Sequence, residues 1–178
     1  MRLTYIFLIP FSLFFNQLLF GQKVKQVFND EERRFKMEFM SSSILNNFTV
    51  YDSLGREMST IILEADSLKI PYVVVYGFGE ISNDYNIPQE SDIQIIDVKN
   101  DIAIGKSSVK ANVYTMYKPN AKTMSIYIEY VKENYYSYFM FCVPILEKEM
   151  MSILQKELGY AMKSIEFMSC PFKIECRF

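Results

Sequence analysis

Residues 111–143 read ANVYTMYKPNAKTMSIYIEYVKENYYSYFMFCV, and the fold turns on this stretch. Its pattern has a period of two. Val113, Thr115 and Tyr117 point one way, with Tyr114, Met116 and Lys118 the other. Lys118-Pro119-Asn120 reads as a turn. Met124, Ile126, Ile128 and Tyr130 then share one side, opposite Ser125, Tyr127 and Glu129. Lys132-Glu133-Asn134 turns the chain again, and Tyr135 to Val143 runs back. Successive side chains of a strand face opposite ways, so the stretch is an antiparallel meander of three strands.

The period changes downstream of Pro144. From Glu147 to Ile165, the residues Met150, Ile153, Leu154, Leu158, Ala161, Met162 and Ile165 recur at steps of three and four, the stripe of a core-facing helix. Glu147, Lys148, Lys156, Glu157 and Lys163 make the polar side. Gly159 falls mid-helix and suggests close packing on the sheet.

Upstream, Phe48–Tyr51 and Ser59–Leu63 flank Asp52-Ser53-Leu54-Gly55, a β-hairpin signal. Tyr72 to Tyr76 reads as a buried strand, and Asn83 to Asp92 as a surface loop. Ile93–Ile95 and Ile102–Ile104 around Lys99-Asn100-Asp101 suggest a second short hairpin. Residues 24–47 are ambiguous. Asn29 with Glu32 resembles a helix-capping pair and favours a helical start near Asp30. Phe35, Met37 and Phe39 alternate with Lys36 and Glu38, which keeps a strand open. Strands followed by a covering helix define an α+β class, an antiparallel meander packed by a long C-terminal helix.

The order of strands, then Pro144, then a long helix ending Ala161-Met162-Lys163-Ser164-Ile165-Glu166-Phe167, resembles the PsbP-like fold, whose members include periplasmic DcrB-like proteins. The resemblance covers about Phe48 to Phe167. It implies an α/β/α sandwich that binds or assists another protein without catalysis. No family site residue carries over.

The chain opens with Arg2 and an apolar run from Leu3 to Phe20, ending in Gly21. A charged start, an apolar centre and a small boundary residue make a secretory signal over 1–21, leaving 22–178 as a single α+β domain. The alternative is an uncleaved anchor, since ~18 apolar residues can span a bilayer. A secreted or periplasmic location follows from cleavage, with no integral membrane span left. The net charge of −2 and the lack of Lys/Arg clusters argue against nucleic acid as a partner. In an oxidising compartment Cys170 and Cys176 can close a disulfide across five residues, with unpaired thiols as the alternative. Cys142 lies in an apolar run and reads as a buried small hydrophobe.

The chain contains no His, which removes Ser-His and Cys-His pairs and most zinc sites. Ser107-Ser108-Val109-Lys110 matches S-x-x-K, but no Lys-Thr-Gly follows. Gly77-Phe78-Gly79 lacks the third glycine of a dinucleotide turn and reads as a strand end or bulge. Asn47-Phe48-Thr49 has the form of a glycosylation sequon. Asp84, Glu90 and Asp92 share the expected loop without the order of a calcium loop. No cofactor or metal is expected.

The suggestive excess is tyrosine. Tyr127, Tyr135 and Tyr136 are the candidate binding residues, with Tyr127 expected to point outward, away from the helix. Rings of this kind suit a protein or a glycan. The function expected is therefore a non-catalytic binding or assembly protein of the bacterial cell envelope, with another envelope protein as partner. A small-molecule or glycan-binding domain and a carboxylate-dependent hydrolase are the alternatives. Terminal sequencing of the protein from the envelope should begin at Gln22 or within a few residues of it. An intact Met1 would instead indicate a retained anchor.

Overall fold

The structure, a computed structural model, describes residues 25–51, 56–80, 92–106 and 110–168. The described strands are β1 (Gln26–Asp30), β2 (Phe35–Phe39), β3 (Ser42–Tyr51), β4 (Glu57–Ala65), β5 (Ile70–Glu80), β6 (Gln94–Ile102), β7 (Ala111–Lys118), β8 (Thr123–Lys132), β9 (Tyr135–Pro144) and β10 (Glu166–Phe167). One helix, α1 (Lys148–Ser164), lies between β9 and β10. A seven-stranded sheet has the order β3-β4-β5-β9-β8-β7-β6, and a small sheet the order β1-β2-β10. The fold class is α+β.

The meander falls where the alternation put it. Ile128 lies opposite Val113 on one side and Phe139 on the other, so the apolar rows of β7, β8 and β9 coincide. A slip by one residue would turn each row over, so this coincidence fixes the register. The β3–β4 hairpin is also present, with Thr49 opposite Ser59. In β5, Tyr72, Val74 and Tyr76 are buried on the inner face.

The small sheet covers that inner face. Phe35, Met37 and Phe39 of β2 are fully buried. The Phe35 ring sits 4.4 Å from Tyr76 and 5.1 Å from Phe139, centroid to centroid. Phe167 of β10 completes the cluster, 5.9 Å from Phe139 and edge-on to Tyr130 at 5.2 Å. Each large side chain buried in this way contributes roughly 1.5–3 kcal/mol.

The helical start near Asp30 is not found. Residues 31–34 form a turn between β1 and β2. The Asp30 carboxylate accepts the Arg33 backbone N–H at 2.9 Å. Such side-chain capping serves turns as well as helix ends, which is why the sequence pattern misleads. Arg33 then reaches the large sheet. Its buried guanidinium donates to Asp30 at 3.2 Å and to Thr49 at 3.1 Å, and pairs with Glu57.

Two further expectations change. Residues 94–102 form one strand, not a hairpin. The Lys99-Asn100-Asp101 signal belongs to an irregularity in its pairing with β7, and Asp101 takes a φ of 56°. The buried side of α1 is Met151, Leu154, Glu157, Leu158, Ala161 and Ser164, so Ile153 is exposed and Glu157 is inside. Glu157 is held there because both its oxygens accept the Ser41 N–H, each at 3.0 Å. A Cβ on Gly159 would meet nothing within 4 Å, so that glycine does not serve close packing.

The helix packs chiefly on β2. The Ser164 hydroxyl accepts the Glu38 N–H at 2.8 Å, and Tyr160 donates to the Glu38 carboxylate at 3.1 Å. Ile128 and Tyr130 are buried as expected, but against β2, β10 and the helix together. The described helix lies on one side of the large sheet, so the three-layer sandwich implied by the resemblance is not what these residues form. The signal segment, the turn at Gly55, the loop from Asn83 except Asp92, and Cys170 with Cys176 lie outside the described residues.

Burial pushes the phenols of Tyr72, Tyr76 and Tyr130 well above their usual range. The fold therefore favours the neutral rings. Stability is complete below about pH 10, where both states are protonated, and falls above it as the unfolded chain ionises first. The melting midpoint should drop above about pH 10, and less so in Tyr76→Phe. Identical alkaline profiles for the two proteins would refute the assignment.

Candidate functional site

The inner face is filled, and the outer face of the large sheet carries a mixture of buried, half-buried and exposed side chains among the described residues. Register defines its composition. One row runs Phe48–Thr60–Val75–Met140–Tyr127–Tyr114–Val98 across all seven strands. The adjacent row runs Asn46–Ile62–Val73–Cys142–Ser125–Met116–Ile95. Neither contains a charged residue. Thr60, Tyr127 and Met116 of these rows are buried, Ile62, Val73, Val75, Met140 and Cys142 are half-buried, and Phe48, Ile95 and Val98 are exposed. At ~4.8 Å between strands, such a row is roughly 30 Å long.

A tyrosine stack crosses the rows. Tyr114 lies 6.1 Å from Tyr127, which stacks on Tyr138 at 5.1 Å, which in turn stacks on Tyr136 at 6.2 Å. Two glycines permit it. Gly77 lies opposite Tyr138, and Gly79 opposite Tyr136. A Cβ at Gly77 would come 2.7 Å from the Tyr138 ring, and one at Gly79 would come 2.9 Å from the Tyr136 hydroxyl. The rings thus lie over bare backbone. Gly77-Phe78-Gly79 is neither a phosphate loop nor a bulge, because pairing with β9 is unbroken through it.

Hydrogen bonds hold the hydroxyls of Tyr114, Tyr136 and Tyr138. Tyr138 donates to the Met58 sulfur at 2.9 Å. Arg56 donates to the Tyr136 hydroxyl at 2.7 Å, and its guanidinium carbon is 5.9 Å from the ring centroid. That distance is near the limit of a cation–π contact, so the hydrogen bond dominates. The Tyr114 hydroxyl donates to buried Glu129 at 3.4 Å, and burial together with that carboxylate raises its pKa.

The three candidate tyrosines do not form one site. Tyr127 and Tyr136 share the outer face. Tyr135 lies on the inner side and packs against the core, its pKa raised by Glu80. Tyr127 does point away from the inner face, yet it is only 2% exposed and is not a bare contact residue. Its neighbours in the stack explain much of that burial. Cys142 is half-buried on the outer face and not in the core. Burial raises its pKa, against the smaller opposite effect of the hydrogen bond that Ser125 donates to its sulfur at 3.5 Å.

Asp92 pairs with Lys118 at 3.6 Å and accepts from Asn120 at 3.5 Å, while Asp84 and Glu90 lie outside the described residues. Of S-x-x-K, Lys110 is described and directly precedes β7, with the two serines outside. Among the described residues no group of three or more His, Cys, Asp or Glu could hold a metal. Among them, too, no helix is long and apolar enough to cross a membrane. Sequence reasoning missed Val75, Met140, Gly77, Gly79 and Arg56. The glycines carried a signal, two small residues spaced by two within a strand, which marks one face left open for rings.

No protein-family model matches the chain, and no curated protein matches it. Among solved structures, the chain is similar to the solution structure of cyanobacterial PsbP (CyanoP) from Synechocystis sp. PCC 6803. That similarity covers 83% of this chain and 95% of the other, at 8% identity and a TM-score of 0.49. It is a likeness of overall fold, and activity and partners do not follow from it.

The buried stack yields a test. Tyr127→Ala should lower the free energy of unfolding by about 3 kcal/mol, in the range of aromatic core truncations. A denaturant melt within error of the parent would show Tyr127 to be a surface ring after all.

Proposed function

We propose that this chain is a non-catalytic binding or assembly protein of the bacterial cell envelope, acting on another envelope protein through the outer face of its large sheet. The observation that carries this reading is the pair of adjacent charge-free rows crossing all seven strands. Extended apolar surface is where soluble proteins meet partners. Strands hold it rigid, so little ordering cost arises on binding. The glycan reading rested on exposed tyrosines and loses ground because Tyr127 and Tyr136 are buried.

The double variant Val75→Glu/Met140→Lys places an opposite-charge pair at the centre of one row, on half-buried, directly opposed side chains of β5 and β9. Wild type purified from cross-linked envelopes should carry one reproducible partner. The variant should lose it while melting within a few degrees of the parent. A partner kept by the variant would move the surface elsewhere. A chain that elutes alone and binds a glycan array would favour the carbohydrate reading. An activity abolished by changing Asp84, Glu90 or Asp92 would overturn the non-catalytic assignment.

A further inference from the structure

Strand β6 forms one edge of the large sheet, and β7 is its partner on the other side. It is exposed almost throughout, with Ile95, Ile96 and Val98 all presenting apolar side chains. An edge of this kind offers a row of backbone N–H and C=O groups to another strand, and proteins commonly blunt it with charge, proline or bulges. β6 has two irregularities, one at Ile96 and one beyond Lys99. Between them, Asp97-Val98-Lys99 runs in regular register against Thr115-Tyr114-Val113.

This regular segment is complementary to itself. Antiparallel pairing about a two-fold axis at Val98 sets Asp97 opposite the partner's Lys99, and Lys99 opposite the partner's Asp97. Opposite charges placed directly across strands attract, and like charges there repel. Val98 would meet its own copy. Directly opposed residues share a face, so the Val98 pair continues the row Phe48–Thr60–Val75–Met140–Tyr127–Tyr114–Val98 into the second subunit. The Asp97 and Lys99 side chains are 53% and 64% exposed and lie 3.7 Å apart within one chain. An exposed ion pair of that length is weak, so re-pairing across a two-fold costs little.

We propose that β6 joins a second copy of this chain edge to edge, giving a closed two-fold dimer with one continuous sheet. The occupant is a second copy because the charge order is its own complement in antiparallel sense, and an isologous contact closes without further growth. This inference is independent of the envelope partner above, and it is tested on the purified mature protein alone.

The test is a charge exchange followed by sedimentation equilibrium at low salt. Wild type should show a concentration-dependent monomer–dimer equilibrium. Asp97→Lys alone faces lysine with lysine, and Lys99→Asp alone faces aspartate with aspartate. Each should weaken self-association about tenfold or more, with an unchanged melting midpoint. An equimolar mixture of the two variants should dimerise again, because the two edges are then complementary. A wild type that is monomeric at its highest soluble concentration would overturn the proposal and leave the edge to a strand of a different protein. A dimer indifferent to both single changes would place the contact off β6. Failure of the mixture to recover would reject the register.

Discussion

The structure depends on one junction of rings. Phe35 lies against Tyr76 and Phe139, and Phe167 closes over Phe139 and Tyr130. These residues come from β2, β5, β9, β8 and β10, so one cluster holds the N-terminal hairpin, the centre of the large sheet and the end of the chain together. Seated there, β2 gives the helix its packing surface and brings Arg33 to Thr49 and Glu57. The inner face is therefore complete, which leaves the outer face as the surface proposed for binding.

The outer face is ordered by a different device. In β5, glycine stands where rings from β9 must lie flat, and the tyrosines then support one another across three strands. Half of this face is a self-packed stack, and the other half is a shallow apolar field of Ile62, Val73, Val75 and Met140. Tyrosine abundance and exposed apolar area are thus separate properties of the same face. The stack buries the Tyr127 and Tyr136 rings, while the aliphatic residues beside it stay half-buried.

The meander and the helix were legible because their periodicities were long and unbroken. Local signals were less reliable where one chemistry serves two structures. Asp30 caps a backbone N–H in a turn, as it would at a helix start. Asn100 and Asp101 sit in a strand irregularity, as they would in a hairpin turn. The stripe on the helix was misread at Glu157, since a carboxylate can be buried when a distant backbone N–H, here that of Ser41, meets it. Tyr127 was assigned to the correct side of its strand. Tyr114 and Tyr138, rings from two neighbouring strands, flank it, and pairing at that distance cannot be read from one segment.

The pairing of β10 with β2 has a consequence for how the chain reaches this state. Glu166 lies opposite Lys36, and the Ser164 hydroxyl binds the backbone of Glu38, 126 positions away. The first hairpin docks on the large sheet through Phe35, and its free edge is closed only when the helix and the last strand are in place. Closing loops of that length precedes the contacts that reward it, which makes folding slow and concentrates it late. The two ends of the described fold are thus sewn to one another, and the core is sealed only when both are in place.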